Sequence, residues 1–285
     1  MGSVIPGYRI LSIRTSDSNL SVCVLASGSK GNAIFVSDGS TSILFDAGLS
    51  GIEIERRLES RGLDPEQIDA IVVSHEHSDH IQGVGVLSRR YRLPVHITKK
   101  THGAAGNFLG KIHNSVNFKC GYPFSIGSLA IHPFSISHDA VDPVGFTISR
   151  NGIRFGIATD LGIVTAMVRE HLKGCDLIVM EANHDSQMLS EGPYPWPLKQ
   201  RVKSRAGHLS NDDAKALLAE VKQDRLKHVI LAHLSETNNT QEKAVSRVGE
   251  AICGSGIKLV VARQDCSSQM IVCNQTPRDA CGSKT

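Results

Sequence analysis

Short apolar runs rich in β-branched residues recur along the chain, each closed by polar or small residues, and they predict many short strands. Ser21–Ala26, Ala33–Ser37, Thr41–Phe45, Ala70–Val73 and Pro94–Thr98 form a first batch. Alternating segments fill 116–137, and Val144–Ser149 with Ile153–Ala158 make a hairpin around Asn151-Gly152, a strong turn signal. Asp176–Met180, His228–Ala232 and Lys258–Ala262 complete a second batch. Helical spacing of apolar residues marks 52–61, about 80–91, 163–173, 210–222 and 241–253. Ser210 and Asn211 stand as caps of one of these helices, with Asp212-Asp213 near its positive end. Residues 186–207, rich in Pro, Gly and basic side chains, read as a loop. No repeat or long linker divides this pattern. It predicts one domain over 20–274, a lead-in of 1–19 and a disordered tail of 275–285.

The strand Ala70–Val73 runs straight into Ser74-His75-Glu76-His77-Ser78-Asp79-His80. Three histidines and an aspartate inside six positions are a dense set of metal donors. The set suits zinc and, with more oxygen ligands, manganese or iron. In a tight loop His75 and His77 face one ion while Asp79 and His80 face a second, about 3.5–4 Å apart as in two-metal hydrolytic sites. A solvated loop that gathered histidines by chance is a poor account of four ligand-type side chains so close together. Two ions need further donors from elsewhere. His138, Asp160 and His233 each end an apolar strand, although each, taken singly, also reads as a hydrogen-bonded structural residue. The small residues Ser27-Gly28-Ser29-Lys30-Gly31-Asn32 are either an ordinary hairpin turn or a loop whose backbone N–H groups point at an anion.

Composition narrows the class only modestly. At 285 residues the chain can bury a sizeable core, and a net charge of +3 does not establish a nucleic-acid partner. Seven scattered cysteines without a Cys-x-x-Cys pair fit reduced thiols better than a disulfide framework. No charged start leads into an apolar stretch, and no run approaches the roughly 18–20 apolar residues of a membrane span. A cytoplasmic protein without a membrane partner is expected.

The run from His75 to His80 matches the His-x-His-x-Asp-His signature of the metallo-β-lactamase superfamily. Further stretches resemble its YycJ/WalJ-like subfamily: Leu25 to Asn32, His138 to Phe146, Glu181-Ala182-Asn183-His184-Asp185, Gly207 to Asn211 and Ala232 to Asn239. The resemblance spans roughly residues 20–275. It implies an α/β fold, a four-layered αββα sandwich of two mixed sheets flanked by helices, with metals at one edge. Carried over residue by residue, it implies His75, His77 and His138 around one divalent ion and Asp79, His80 and His233 around a second. Asp160 would bridge both, and Glu76 stands at a variable, non-ligand position. Zinc or manganese would occupy the sites, with iron as a further option. A bridging Asp is similar to the phosphodiesterase, nuclease and glyoxalase II branches. Enzymes that open β-lactams commonly place Cys, or no bridging carboxylate, there.

Gly207-His208-Leu209-Ser210 opens a predicted helix and is similar to the Gly-His-Ser motif of tRNA 3′-processing ribonuclease Z. That resemblance implies attack by a metal-bridging hydroxide, with Asp79 in the catalytic set and His208 as the acid that protonates the leaving alkoxide. The plainer reading of His208 is a neighbour of a helix cap. Glu181 or Asp185 would orient His208, and His184 either meets substrate or metal or is structural. Asn32 and the N–H groups of 27–32 would hold a phosphate oxygen. Lys199, Arg201, Lys203 and Arg205, at alternate positions after Tyr194 and Trp196, would meet a nucleic-acid backbone and a base. The cluster Arg89-Arg90-Tyr91-Arg92 reads as a solvated face. The function implied is hydrolysis of phosphodiester bonds, in DNA and of exonuclease type. The alternatives are a thioester or lactone hydrolase of the glyoxalase II type and a non-catalytic nucleic-acid-binding module.

Overall fold

In a computed structural model that describes residues 19–274, fourteen strands form two mixed sheets of seven strands each. The first sheet takes β1 (Asn19–Ala26), β2 (Ala33–Ser37), β3 (Ser42–Phe45), β4 (Ala70–Val72), β5 (Pro94–Thr98) and β6 (Asn114–Phe118), side by side in chain order. The second takes β7 (Phe124–Ile126), β8 (Leu129–Ser135), β9 (Val144–Arg150), β10 (Ile153–Ala158), β11 (Leu177–Glu181), β12 (His228–Ala232) and β13 (Lys258–Val261). The last strand, β14 (Ile271–Asn274), crosses back to pair antiparallel with β1. Strands β3 to β6 run parallel, as do β10 to β13. Side chains therefore converge where the carboxyl ends of two parallel stretches come together, the usual ligand edge of such sheets.

The two-residue period of each strand sorts its side chains into layers. On β1, Leu20, Val22 and Val24 pack between the sheets, while Cys23 and Leu25 face helices on the outside. On β11, Leu177 and Val179 point inward, and Ile178 and Met180 lie under the opposite helices. Phe45 and Phe146 meet across the inner layer with ring centroids 5.1 Å apart. Truncating either ring to alanine costs about 3–5 kcal/mol. The outer layer of the first sheet is α1 (Gly51–Glu59), α2 (Ser78–Ile81), α3 (Val84–Tyr91) and α4 (Lys99–Ala105). Over the second sheet lie α5 (Ala166–Leu172) and, further along, two longer helices described below. The arrangement is the four-layered αββα sandwich expected.

Several elements differ from the sequence reading. The helix expected at about 80–91 is two helices, broken at Gly83. There the N–H donates to the Ala47 carbonyl at 2.7 Å, and a Cβ would lie only 2.4 Å from the Leu49 oxygen. The expected loop of 186–207 holds two helices, α6 (Ser186–Glu191) and α7 (Trp196–Lys203). Pro195 precedes α7 and Pro197 sits in its first turn, where a missing N–H costs nothing. Proline there marks a helix start rather than its absence. Next come α8 (Asn211–Val221), with a capping box between Ser210 and Asp213, and α9 (Gln241–Gly249). Helix α4 and the edge strand β14 were not anticipated. The lead-in up to residue 18 lies outside the described residues, as does the tail of 275–285, which was expected to be disordered.

Candidate active site

The candidate ligands occupy strand ends. His75, His77, Asp79 and His80 follow β4, His138 follows β8, Asp160 follows β10 and His233 follows β12. Asp46, directly after β3, joins them. Asp46, Asp160 and His233 hold φ values of 59°, 59° and 56°. Left-handed backbone costs a non-glycine residue about 1–3 kcal/mol, and such strain concentrates at functional sites. Gly48 lets the ligand run approach: a Cβ on it would lie 1.6 Å from the Asp79 carbonyl oxygen.

Hydrogen bonds orient the rings. Ser74 Oγ donates to Asp46 Oδ2 at 2.7 Å and so accepts from His75 Nδ1 at 2.9 Å. His80 Nδ1 donates to the same Asp46 oxygen at 2.8 Å. His233 Nδ1 donates to Glu181 Oε1 at 2.9 Å, and His138 Nδ1 lies 3.3 Å from the Gly207 carbonyl. Each contact fixes a proton on Nδ1 and leaves the Nε2 lone pair to face a metal; the Nε2 of His80 lies 3.1 Å from Asn32 Nδ2. His77 is turned the other way, with Nδ1 3.3 Å from His138 Nε2.

The donor atoms converge into overlapping groups: His208 joins Asp160, Glu181 and His233 in one, and among the others are His75 with His77 and His138, and Asp79 with His80 and His233. Asp160 lies between these last two: Oδ2 is 3.3 Å from His80 Nε2, while Oδ1 is 3.8 Å from His138 Nε2 and 3.6 Å from His233 Nε2. Adjacent ligands on a tetrahedral zinc with bonds of 2.0–2.1 Å are about 3.3 Å apart, close to this spacing. His75 Nε2, His233 Nε2 and Asp160 Oδ2 are buried without a hydrogen-bond partner. An unsatisfied buried polar atom costs about 1–3 kcal/mol, which coordination to a cation would offset. The donor set fits metal.

The electrostatics agree. Burial disfavours a charge on each ring, and it prevails at His75 and His138, which are held below the ordinary histidine range. At His80 burial is outweighed by Asp160 and Asp46, which raise it to about 9. Against the same burial, Asp160, Asp79 and Glu181 push His233 well up. Asp160 and Glu181 are buried and Asp79 is half-buried, yet the surrounding imidazoles hold all three below the usual carboxylate range. Carboxylates that draw protons onto neighbouring rings draw a divalent cation by the same field.

His208 stands beside this cluster. Its Nδ1 donates at 2.8 Å to Glu181 Oε1, the oxygen that also receives His233. Glu181 Oε2 accepts the backbone N–H groups of Leu161 at 2.7 Å and Leu209 at 3.1 Å. One fully buried carboxylate thus fixes His208 and His233 together. Gly207 is needed here, because a Cβ would lie 2.2 Å from the Val202 oxygen. His77, Asp79, His138, Asp160 and His233 line, with His208, a pocket of about 250 Å³ whose wall includes Tyr194, Leu198 and Arg201, while His75 and His80 lie behind them.

Sequence and structure comparisons place this geometry in a known group. A family model described as a beta-lactamase superfamily domain matches residues 41–234. The chain is 39% identical to the exodeoxyribonuclease YycJ of Bacillus anthracis over 231 residues, 80% of this chain and 88% of that one. The chain belongs to the metallo-β-lactamase superfamily. A second relative, the exodeoxyribonuclease WalJ of Streptococcus pneumoniae, is 38% identical over 254 residues, 86% of this chain and 94% of that one. Among solved structures, the metallo-β-lactamase fold protein YhfI from Bacillus subtilis superposes with a TM-score of 0.68 at 17% identity. That superposition covers 88% of this chain and 99% of that one. The metallo-β-lactamase fold implies divalent metal ions, and the histidine and aspartate cluster is where this chain's donors fit them.

Around this superfamily core the other expected residues scatter. Asp185 caps α6 and pairs with Lys243 at 3.2 Å, leaving Glu181 as the partner of His208. His184 is buried outside the pocket lining, its carbonyl accepting from Asn211 at 2.8 Å. Asn32 braces the site, with Nδ2 3.2 Å from Asp79 Oδ2 and Oδ1 accepting from Gly28 N–H at 2.9 Å. The N–H groups of residues 27, 28, 30, 31 and 32 all donate within the protein, which leaves little for an anion. Folding Lys199 to Lys203 into α7 separates residues that alternate in sequence. Arg201 lines the pocket and pairs with Asp139 at 2.6 Å, whereas Lys199, Lys203 and Arg205 do not line it. Arg90 pairs with Glu55, and Arg89 reaches the Lys111 carbonyl at 2.5 Å, both on the exposed side of α3. Asp46, Ser74 and Asp139 were missed. Polar residues directly after a buried strand, as in Phe45-Asp46, were the signal available for the first.

Proposed function

We propose that this protein is a cytoplasmic, metal-dependent phosphodiesterase that degrades DNA as an exonuclease, its catalytic domain spanning 20–274. The observation that carries the reading is His208, a ring fixed by Glu181 with its other nitrogen free, beside a converged donor cluster. Two relatives named as exodeoxyribonucleases, each matched over most of its length, support DNA as substrate. We assign two divalent ions, zinc or manganese with iron as an option. His75, His77 and His138 hold one, Asp79, His80 and His233 hold the other, and Asp160 is shared. Bound ions would supply an activated water and neutralise phosphate charge.

The protein's own groups do the rest. Glu181 keeps the His208 proton on Nδ1 in the neutral ring. A second proton, taken up at Nε2, is the one delivered to the departing alkoxide, and the Glu181 carboxylate stabilises the imidazolium before transfer. Arg201 stands on the wall where a substrate phosphate would compete with Asp139 for its guanidinium. Asp46 and Ser74 hold the His75 and His80 rings so that Nε2 faces inward. The test is digestion of an end-labelled DNA oligonucleotide by metal-loaded protein. Mononucleotide release from one end, abolished by a chelator and restored by zinc or manganese, supports the reading. An intact oligonucleotide under every metal tried contradicts it.

A further inference from the structure

Helix α7 has two faces. Leu198, Arg201 and Val202, at spacings of three and four residues, line the pocket. Arg201 is drawn to that side by Asp139, whose Oδ2 accepts from its Nε at 2.8 Å. Trp196, Lys199 and Lys203, again three and four apart, fall on the opposite face. Trp196 is 72% exposed, the highest value for a large apolar side chain among the described residues. Trp196 does not line the pocket, but Tyr194, two residues earlier, does, so Trp196 lies within two residues of its wall. From Trp196 to Arg205 the chain has four positive charges and no negative one.

Exposure of a single apolar side chain is ordinary; what sets Trp196 apart is an aromatic face presented on the same side of a helix as Lys199 and Lys203. Here the indole shares that face with Lys203 and with Lys199, whose Nζ donates to the Ser190 carbonyl at 2.7 Å, beside a site proposed for phosphodiesters. That combination suits an unpaired nucleic-acid strand, whose bases stack on a ring while its backbone follows the positive charges. Paired bases in a duplex keep their faces stacked on one another and offer none to the ring. A protein partner would be repelled unless acidic. We propose that the outer face of α7, with Trp196, Lys199 and Lys203, is a track for an unpaired DNA strand whose end enters the pocket past Tyr194. The assignment rests on the phosphodiesterase reading for the role of the strand, but its binding can be measured apart from cleavage.

Trp196 is the only tryptophan in the chain, so its fluorescence reports this face alone. Metal-loaded protein is titrated with a cleavage-resistant phosphorothioate single strand and with a blunt duplex of the same length. The single strand should quench saturably and the duplex only at about tenfold higher concentration, given what one stacked base contributes. In steady-state digestion Trp196→Ala should raise KM for an unpaired oligonucleotide about tenfold, with kcat within about twofold, and Trp196→Phe should recover most of the loss. Normal digestion without quenching would overturn the track and leave the phosphodiesterase reading standing. Saturable quenching by the single strand, with no phosphodiester cleaved, would do the reverse. Equal quenching by strand and duplex would overturn the requirement for unpaired bases.

Discussion

The two sheets contribute to the candidate metal site in different ways. After β4 the first sheet delivers His75, His77, Asp79 and His80 within six consecutive positions. The second delivers His138, Asp160 and His233 singly, after β8, β10 and β12, the first two 22 positions apart and the last two 73. The first group is a matter of local chain geometry. The second exists only because β10, β11 and β12 run parallel in fixed register, Ala158 beside Met180 and Glu181 beside Ala232, and because β8 joins them through antiparallel pairing with β9. Contiguous donors can be read from spacing, whereas distributed donors are made by topology. The comparison also predicts where the site is most vulnerable, since Asp160 from the second sheet is the one carboxylate that meets both donor groups.

The largest effect should come from Asp160→Ala. Metal content by elemental analysis should drop and DNA cleavage should fall to the detection limit. A variant that keeps its metal and its activity would break the claim that the second sheet completes the site. Next, His208→Ala should lower DNA cleavage by about 10²–10⁴-fold with metal content retained. On an aryl phosphodiester, whose leaving group needs little protonation, the loss should be smaller. Equal losses on both substrates, or lost metal, would make His208 a structural part of the donor cluster.

Glu181→Gln keeps the shape of the side chain but removes the charge that serves His208 and His233 together. A loss of about 10–100-fold in activity is expected, typical of partners that orient ligand rings. An effect below twofold would separate the two histidines that the second sheet joins. The smallest effect sharpens the comparison from outside the site, because not every buried histidine of the second half is a donor. His171 on α5 stacks on Phe134 with centroids 4.4 Å apart, and burial lowers it to about 4. The folded form binds that proton less readily than the unfolded chain, whose histidines titrate near pH 6.5. Its contribution to stability is complete above about pH 6.5 and is lost as pH falls towards 4. Thermal unfolding measured across that window should show a fall that His171→Leu flattens.

How much could be read beforehand follows the same division. The run from His75 to His80 declares a metal site by spacing alone. His138, Asp160 and His233 became candidates through family resemblance, since each in isolation is a polar residue ending a strand. Asp46 was passed over because its role, holding His80 and Ser74, depends on β3 lying beside β4. The strands were legible because buried runs of Val, Ile and Leu carry their own signal. Helix α7 was not, because three prolines within Pro193 to Pro197 dominate the local composition. Its folding changed the meaning of the basic residues, since alternate positions that share one side of a strand are split between two sides of a helix. The edge strand β14 is four residues long and half exposed, and it gains its identity only by pairing with β1.

The central claim, that this donor cluster with His208 cleaves phosphodiesters, is tested most directly by offering metal-loaded protein two substrates side by side, a DNA oligonucleotide and a small thioester. The account predicts that the oligonucleotide is cleaved, that a chelator stops it, and that the thioester is turned over far more slowly. Brisk thioester hydrolysis indifferent to His208→Ala, with the oligonucleotide left intact, would contradict it.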